Sequence, residues 1–534
     1  MTTNADLIVT MLKAAGIDEA FGIPSGNVIP VMEAMRKGGI RFILTAHEGS
    51  AGFAADVTGR MTGRPGFCIA THGPGATNLA TGVGCAFLDR SPLIVLTCNI
   101  PTAQLGRRVQ MHIPHHDLFA PITKATLPLR SGSIAATVAE AIRIAMSEPA
   151  GPVHLDLPED VALAAAEESA LAIPAAQPLP APVPAALAKA ERLIAAARRP
   201  VAVIGASAMR MRDPTLLRRF IERHEMPFAS TTMAKGLIDE DHPLFFGCIE
   251  RARRQVQRAF LRGADLVIGL GYDTIEVEYE AWIGDRPLLH LGIEPADTDG
   301  SVTIAEQVVG DLDTALGTLT AARRGKSEWS AAEVAAQRER FQASLRPRLG
   351  AFGPHQAIDV VRRVLPRDGI LAFDVGAHTH QIASQWPAHG PRSFLITNGW
   401  SSMGFGLPAA IAAKLARPDL PVVCILGDGC FQMTCGEVAV ARRHRLAIPI
   451  VVLDDRWLAL IKVKQQRRNY ALYGTELQQE PYGAPPEHYF GVPAVGATTP
   501  EALERALTKA LAAAGPTVIE TVVDASHYTE TVYD

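Results

Sequence analysis

The sequence predicts an α/β protein of three doubly wound parallel-sheet domains in series. Three observations carry that expectation. Short apolar β-rich runs alternate with segments of helical spacing along most of the chain. A Pro/Ala-rich run interrupts the alternation, and acid- and glycine-bearing turns follow several of the apolar runs. Alternation of this kind argues for parallel strands covered by helices. The length, 534 residues, exceeds what one core supports and suits about three domains.

The first domain is expected over 1–170. MTTNADLIVTMLKAAG reads as a short amphipathic helix. RFILTA, GFCIAT and SPLIVLTC read as strands, and ATNLATGVGCAFLD and SIAATVAEAIRIAMS as helices. The run AIPAAQPLPAPVPAA, 172–186, is nearly uncharged and reads as an extended linker. A second block over 188–325 carries PVAVIGAS, MPFASTT, ADLVIGLG and RPLLHLGI. The charged helical stretch KSEWSAAEVAAQRERFQ reads as a further connection. A third block over 353–534 carries GILAFDVG, SFLITN, PVVCILGDG, IPIVVLDD and PTVIETVV.

Composition excludes several functions. With 51 basic and 55 acidic residues the net charge is −4, which offers nucleic acid no electrostatic footprint. The seven cysteines form no CxxC pair and read as buried free thiols. The N-terminus lacks the basic start and long apolar run of a signal peptide, and no segment approaches 18 uninterrupted apolar residues. A soluble cytoplasmic protein is expected.

The strands PVVCIL and IPIVVL both run into carboxylates, at Asp428 and at Asp454-Asp455. Ligands of open sheets lie beyond the carboxyl ends of strands. Gly427 and Gly429 flank Asp428 and let an anion approach the backbone. If the two strands are neighbours, Asp428 and Asp455 reach one point, and hard oxygens beside free amides suit Mg²⁺ bridging to a diphosphate. A plain turn and a solvated loop account for the same residues.

The wider context resembles the thiamine diphosphate (ThDP) enzymes, in their acetolactate synthase-like and 2-oxo acid decarboxylase branch. GDG, roughly 25 residues and a polar pair resemble that family's diphosphate–magnesium motif. FGIPSGN (21–27), AHEGS (46–50) and GPGATN (73–78) resemble its pyrimidine-binding domain, in order. DVGAH (374–378) and NGWSSMGFGLPAAIAA (398–413) precede the GDG as in that family, and KGLIDEDHPLFFG (235–247) extends the likeness to the central domain.

The resemblance implies pyrimidine-binding, central and diphosphate-binding domains, with ThDP and Mg²⁺ as cofactors. Asp428, Asp455 and the Trp457 carbonyl would be the metal ligands. Glu48 would hydrogen-bond the aminopyrimidine and so promote deprotonation of the reactive carbon. Pro24, Gly73, Gly75, Asn78, Gly376, His378, Ser401, Met403, Gly427, Gly429 and Cys430 would complete the cofactor site, with Met403 as the wedge that bends it. The cofactor would lie between the first domain of one subunit and the third of another, making a homodimer the minimum and a homotetramer common. The implied substrate is a 2-oxo acid or a 2-hydroxy ketone, cleaved or joined at a C–C bond through a carbanion/enamine intermediate.

Departures narrow this. Gly26 and Ile461 stand where pyruvate decarboxylase-like enzymes carry acids. QMHIPHHDLF from 110 keeps Gln110 but lacks the glutamate that follows in acetolactate synthases. CIERARRQ and YDTIEVEYE replace MHG-type and RFDDR stretches, which puts a bound FAD and standard acetolactate synthesis in doubt. Histidines His72, His115 and His116 are candidates instead for protonating the intermediate or orienting the oxo-acid carboxylate. The basic run KVKQQRR (462–468) is a candidate cap over the site's mouth. The reading is an acetolactate synthase-like lyase/carboligase. The alternatives are a non-standard decarboxylase releasing an aldehyde, a flavin-linked oxidase and a non-catalytic regulatory relative.

Overall fold

The computed structural model describes residues 2–323, 327–348, 350–479 and 485–532. Three sheets follow one another along the chain. Strands β1 to β6 span Glu19–Gly22, Arg41–Leu44, Gly66–Thr71, Leu93–Asn99, Ala125–Pro128 and Pro152–Pro158. They form a parallel sheet in the order β2-β1-β3-β4-β6-β5. Strands β7 to β12 span Pro200–Ile204, Phe228–Ser230, Phe245–Cys248, Leu266–Leu270, Leu288–Gly292 and Ile304–Val309. They form a second parallel sheet, β12-β11-β10-β7-β8-β9. Strands β13 to β19 span Ile370–Phe373, Phe394–Leu395, Val422–Gly427, Pro449–Asp454, His488–Tyr489, Val492–Ala497 and Thr517–Val522. The third sheet runs β14-β13-β15-β16-β19-β18-β17, parallel except where β17 meets β18.

Local chemistry accounts for the elements. Thr3 and Asp6 form a reciprocal capping box that starts the helix Asn4–Ala14. In β3, β4 and β15 every residue is buried, as central parallel strands require. The linker has no regular structure over 172–183 and crosses the surfaces of two domains. Its Gln177 N–H donates to Ser147 Oγ (3.0 Å) and its Pro180 carbonyl accepts from Asp311 N (2.9 Å).

One expectation is corrected. The charged helical stretch expected to be a connection does form a helix, Ala331–Ser344, but it packs on the central sheet beside β9. Gln337 Nε2 donates to Gln257 Oε1 (2.9 Å), and Phe341 is fully buried against Gly247. Residue 325, the expected end of the central domain, lies outside the described residues.

The first and third domains share one core. It joins Phe21, Phe53 and Leu79 to Phe405, Leu407 and Phe431, with the Phe53 and Phe405 rings 5.8 Å apart. The helices Glu48–Thr62 and Pro74–Leu88 touch at Gly52 and Gly82, where a Cβ on Gly52 would lie 2.7 Å from Gly82 Cα. That close approach brings the starts of the two helices together, and the candidate site is built on those starts. No helix among the described residues is long and apolar enough to cross a membrane.

Candidate active site

The strand order of the third sheet reverses between β13 and β15, and a crevice opens beyond their carboxyl ends. Three loops meet there, following β13, β15 and β16. Gly427 pairs with Leu453, so Asp428 emerges alongside Asp454. The buried Asp428 carboxylate accepts from Gly429 N (2.8 Å) and, across the gap, from Arg456 N (2.9 Å). Asp455 accepts from Trp457 N at 2.9 Å. Burial, then the Asp455 charge, hold the Asp428 carboxyl well above the usual carboxylate range. Burial also pushes Asp455 up, to about 7. Asp454 turns aside and accepts from Gln478 Nε2 (2.9 Å). Two carboxylates converging this way suit a divalent cation.

The β13 loop supplies the other wall. His378 is buried, and burial lowers it to about 4, so its ring is neutral. The ring fills the space beside both glycine loops: a Cβ would meet it at 2.7 Å on Gly376 and at 3.1 Å on Gly427. Its Nε2 has no hydrogen-bond partner among the described residues. Asp374 fixes the geometry, accepting from Val375 N (2.7 Å), Gly404 N (2.9 Å) and Gly406 N (2.9 Å). It thereby ties the β13 loop to the segment carrying Ser401 and Met403. Met403 Cε lies 3.3 Å from the Cβ position of Gly429, and Cys430 Sγ contacts the Val375 carbonyl at 3.1 Å. Beside Asp455 opens a cavity of about 700 Å³, bordered by Trp457, Lys462, Asp524 and Tyr528. The Lys462 ammonium lies 4.0 Å from the centre of the Trp457 ring. The uncompensated carboxylates, the orphaned buried imidazole nitrogen and the glycine-lined approach fit a diphosphate held through Mg²⁺.

The first domain presents a second cluster. Glu48 opens the helix Glu48–Thr62, is 8% exposed, and accepts from Asn78 Nδ2 (3.1 Å). Its Oε1 is 3.5 Å from the Cβ position of Gly75, so a side chain there would crowd the carboxylate. Gly73 has φ +61, and a Cβ on it would lie 2.2 Å from the Met111 carbonyl; only glycine fits. Pro24 is exposed on the loop after β1.

The three candidate histidines separate. His72 Nδ1 accepts from Asn27 Nδ2 (2.8 Å), since that amide also donates to the Cys98 carbonyl (2.6 Å). The neutral ring therefore carries its proton on Nε2, and burial, then His115 and His112, lower its pKa. His115 is turned inward at 1% exposure. Its Nε2 accepts from Gly73 N (3.4 Å), and its Nδ1 faces Thr97 Oγ1 (2.9 Å) and Asp156 (3.3 Å). His116 is exposed and bonded to Thr126 on edge strand β5. Of the three, His115 is packed beneath the glycine loop and His116 faces away from it.

Glu437 was not expected in this region. It reaches from the third domain to accept from Ala46 N (3.0 Å) and His47 N (3.1 Å), the residues leading into Glu48. Burial pushes its carboxyl up to about 7, whereas in an unfolded chain it titrates at about 4.3. Between these values the folded state holds a proton the unfolded chain has lost. Stability at this group is therefore full at low pH and falls as pH rises towards 7. Melting curves of wild type and Glu437→Gln across this range should differ in slope, with the variant flatter.

The chain is similar to known proteins over most of its length. Residues 2–120 match the family model for "Thiamine pyrophosphate enzyme, N-terminal TPP binding domain". Residues 187–319 match the central domain of the same enzymes, and 374–521 the C-terminal TPP binding domain. The chain is 31% identical to an acetolactate synthase large subunit of Parasynechococcus marenigrum, over 97% of this chain and 87% of that protein. It is 31% identical to a probable acetolactate synthase large subunit of Methanocaldococcus jannaschii, over 98% and 92% of the two chains. It is 32% identical to acetolactate synthase isozyme 1 large subunit of Escherichia coli, over 87% and 83%.

Proposed function

We propose, for a chain that belongs to the thiamine pyrophosphate enzyme family, an acetolactate synthase-like reaction in which a 2-oxo acid loses CO₂ and its remaining carbons join a second carbonyl compound. The chain is a ThDP-dependent enzyme of a carbon–carbon bond-forming family. The observation that carries the reading of its site is the convergence of Asp428 and Asp455 from adjacent strands beside the orphaned His378 nitrogen.

In this reading Asp428, Asp455 and the Trp457 carbonyl hold Mg²⁺, and His378, Gly376, Gly427, Gly429 and Cys430 surround the diphosphate. Ser401 and Met403 border the middle of the cofactor. Pro24, Gly73, Gly75 and Asn78 frame its pyrimidine, and Glu48 hydrogen-bonds that ring. ThDP, when bound, supplies a nucleophilic carbon that accommodates the electron pair released on decarboxylation. Glu48 and Asp428 serve one site from two subunits, so a homodimer is the smallest active unit and a homotetramer fits the family.

His72 is the residue placed to handle a proton, because Asn27 fixes its tautomer and leaves Nε2 as the donor. His115 holds the Gly73 amide and acts through the loop. His72→Ala should change the pH dependence of kcat/KM, and His116→Ala should leave it unaltered. A kinetic series from pH 5.5 to about 8.5, spanning ordinary imidazole titration, checks both. Unchanged profiles in both variants would remove His72 from the mechanism.

The same Nε2 proton favours a second reading, decarboxylation with release of an aldehyde. A panel of 2-oxo acids with ThDP and Mg²⁺, with CO₂ and carbon products followed by mass, separates the two. Two-component acyloin products support ligation, aldehydes support the second reading, and absence of CO₂ from every acid contradicts both.

A further inference from the structure

The central sheet has the strand order in which doubly wound domains bind dinucleotides, between β7 and β10. Here that crevice is filled from within the chain. The segment 271–283 leaves β10 and folds back over the strand ends. Tyr272, Tyr279 and Trp282 are buried together, with the two tyrosine rings stacked at 4.2 Å. Tyr279 Oη bonds His290 Nδ1 (2.9 Å) and lies 2.2 Å from the Cβ position of Gly269. Tyr272 Cα lies 2.5 Å from that of Gly205. Both strand ends are thus covered by this segment, by backbone at Gly205 and by the Tyr279 side chain at Gly269.

Glu276 takes the polar positions. Its carboxyl accepts from Ala206 N (3.1 Å) after β7, from Met233 N (2.7 Å) after β8, and from Thr231 Oγ1 (2.6 Å). Backbone amides at these loop starts are the donors a pyrophosphate would use. A cavity of about 520 Å³ adjoins at the junction of the three domains, and Ala206 and Met233 belong to its wall. Their amides are already bound to Glu276.

The same segment supports the cofactor loop. Ile275 Cγ2 is 2.7 Å from the Cβ position of Gly399. Asn398 Nδ2 donates to the Glu276 carbonyl (3.4 Å), and Asp273 pairs with Arg90 (3.2 Å). Gly399 N donates to the neighbouring Asp89 (2.8 Å). Residues 398–404 carry Ser401 and Met403.

We infer that the segment 271–283 stands in for a dinucleotide: Glu276 occupies the phosphate donors, and the segment braces the loop 398–404, which makes Glu276 a positioning residue and the enzyme flavin-independent. FAD does not fit that crevice, because a dinucleotide lying across it would displace the Glu276 carboxyl group and the packed aromatic side chains, which are already paired. The bracing role rests on the ThDP reading of that loop; the flavin statement does not.

The test uses full-length wild type, Glu276→Gln and Glu276→Ala. FAD and ADP binding is followed by equilibrium dialysis, and ThDP binding by quenching of tryptophan fluorescence with Mg²⁺ present. Wild type should show no saturable FAD or ADP binding up to about 100 μM. Glu276→Ala should weaken ThDP binding about tenfold, and Glu276→Gln, which keeps an acceptor oxygen, should restore it to within about threefold. Added FAD should alter none of these values. If Glu276→Ala does not fold, Ile275→Ala carries the same expectation for ThDP, because it removes the Gly399 contact and leaves the carboxyl in place. Stoichiometric FAD or ADP binding by wild type overturns the inference, as does unchanged ThDP affinity in the variant that folds. Wild type that binds no ThDP defeats the cofactor reading and the bracing role with it, while the flavin measurement stands alone.

Discussion

Glu48→Gln lowers turnover by about 10²–10⁴-fold, the range for losing one acid–base contribution, and leaves the protein folded and able to bind ThDP. The carboxylate is nearly enclosed, and its hydrogen-bond partner is the side-chain amide of Asn78. Glutamine keeps the size and an acceptor oxygen, so the helix start and the Gly75 contact survive. What it lacks is the charge that, in the role proposed for Glu48, would shift the proton balance of the pyrimidine. The expected signature is a fall in kcat with ThDP affinity changed by less than about tenfold, since one polar contact is altered. Equal loss of cofactor binding would make Glu48 a structural anchor.

Asp428→Ala removes Mg²⁺-dependent ThDP binding and with it all activity. The carboxylate bridges the β15 and β16 loops through Gly429 N and Arg456 N, and it converges with Asp455. Both carboxyl groups are held above their ordinary range by burial, which is the condition a bound cation relieves. Without a cation the pair costs stability, so the cofactor-free Asp428→Asn variant melts no lower than cofactor-free wild type. Addition of Mg²⁺ and ThDP raises the melting temperature of wild type and leaves that of Asp428→Ala unchanged, because only a bound ligand shifts the equilibrium. Asp455→Asn keeps an oxygen ligand and retains Mg²⁺ dependence. Loss of that dependence in Asp455→Asn would count against Asp455 as a ligand.

The central strands of each sheet were legible because parallel strands buried on both faces read as continuous apolar runs, as in GFCIAT and PVVCIL. RFILTA, MPFASTT and SFLITN mark even the short strands β2, β8 and β14, whereas β1 and β12 carry no such signal. β1 is four residues, EAFG, too short to establish a period, and β12, IAEQVV, is only partly buried at most positions. The helix Ala331–Ser344 resembles a connection because most of its surface is polar, and its few buried residues, Val334, Gln337 and Phe341, have meaning only against β9. In the site, motif residues were legible where a turn must present them, as with Glu48 and Asp428. Residues that act through long-range contacts were not. Asp374 lies inside a recognised motif, yet its bonds to Gly404 and Gly406 span 30 residues or more of chain. Asp156, on β6, meets His115 only because the helix His115–Phe119 packs against that strand. Glu276 belongs to a stretch that stood out as a departure, but its bonds to Ala206 and Met233 required the sheet order. The sense in which each histidine of HIPHH turns depends on tertiary packing and cannot be read from spacing.

Glu48 of one chain and Asp428 of another are expected to serve a single ThDP. Mixing the inactive Glu48→Gln and Asp428→Ala proteins and allowing their subunits to exchange tests it directly. Half of the randomly assorted dimers then pair the two variants, and each such dimer holds one intact site, so the mixture should recover about a quarter of wild-type activity. A mixture that stays inactive although its subunits have exchanged would contradict the shared site.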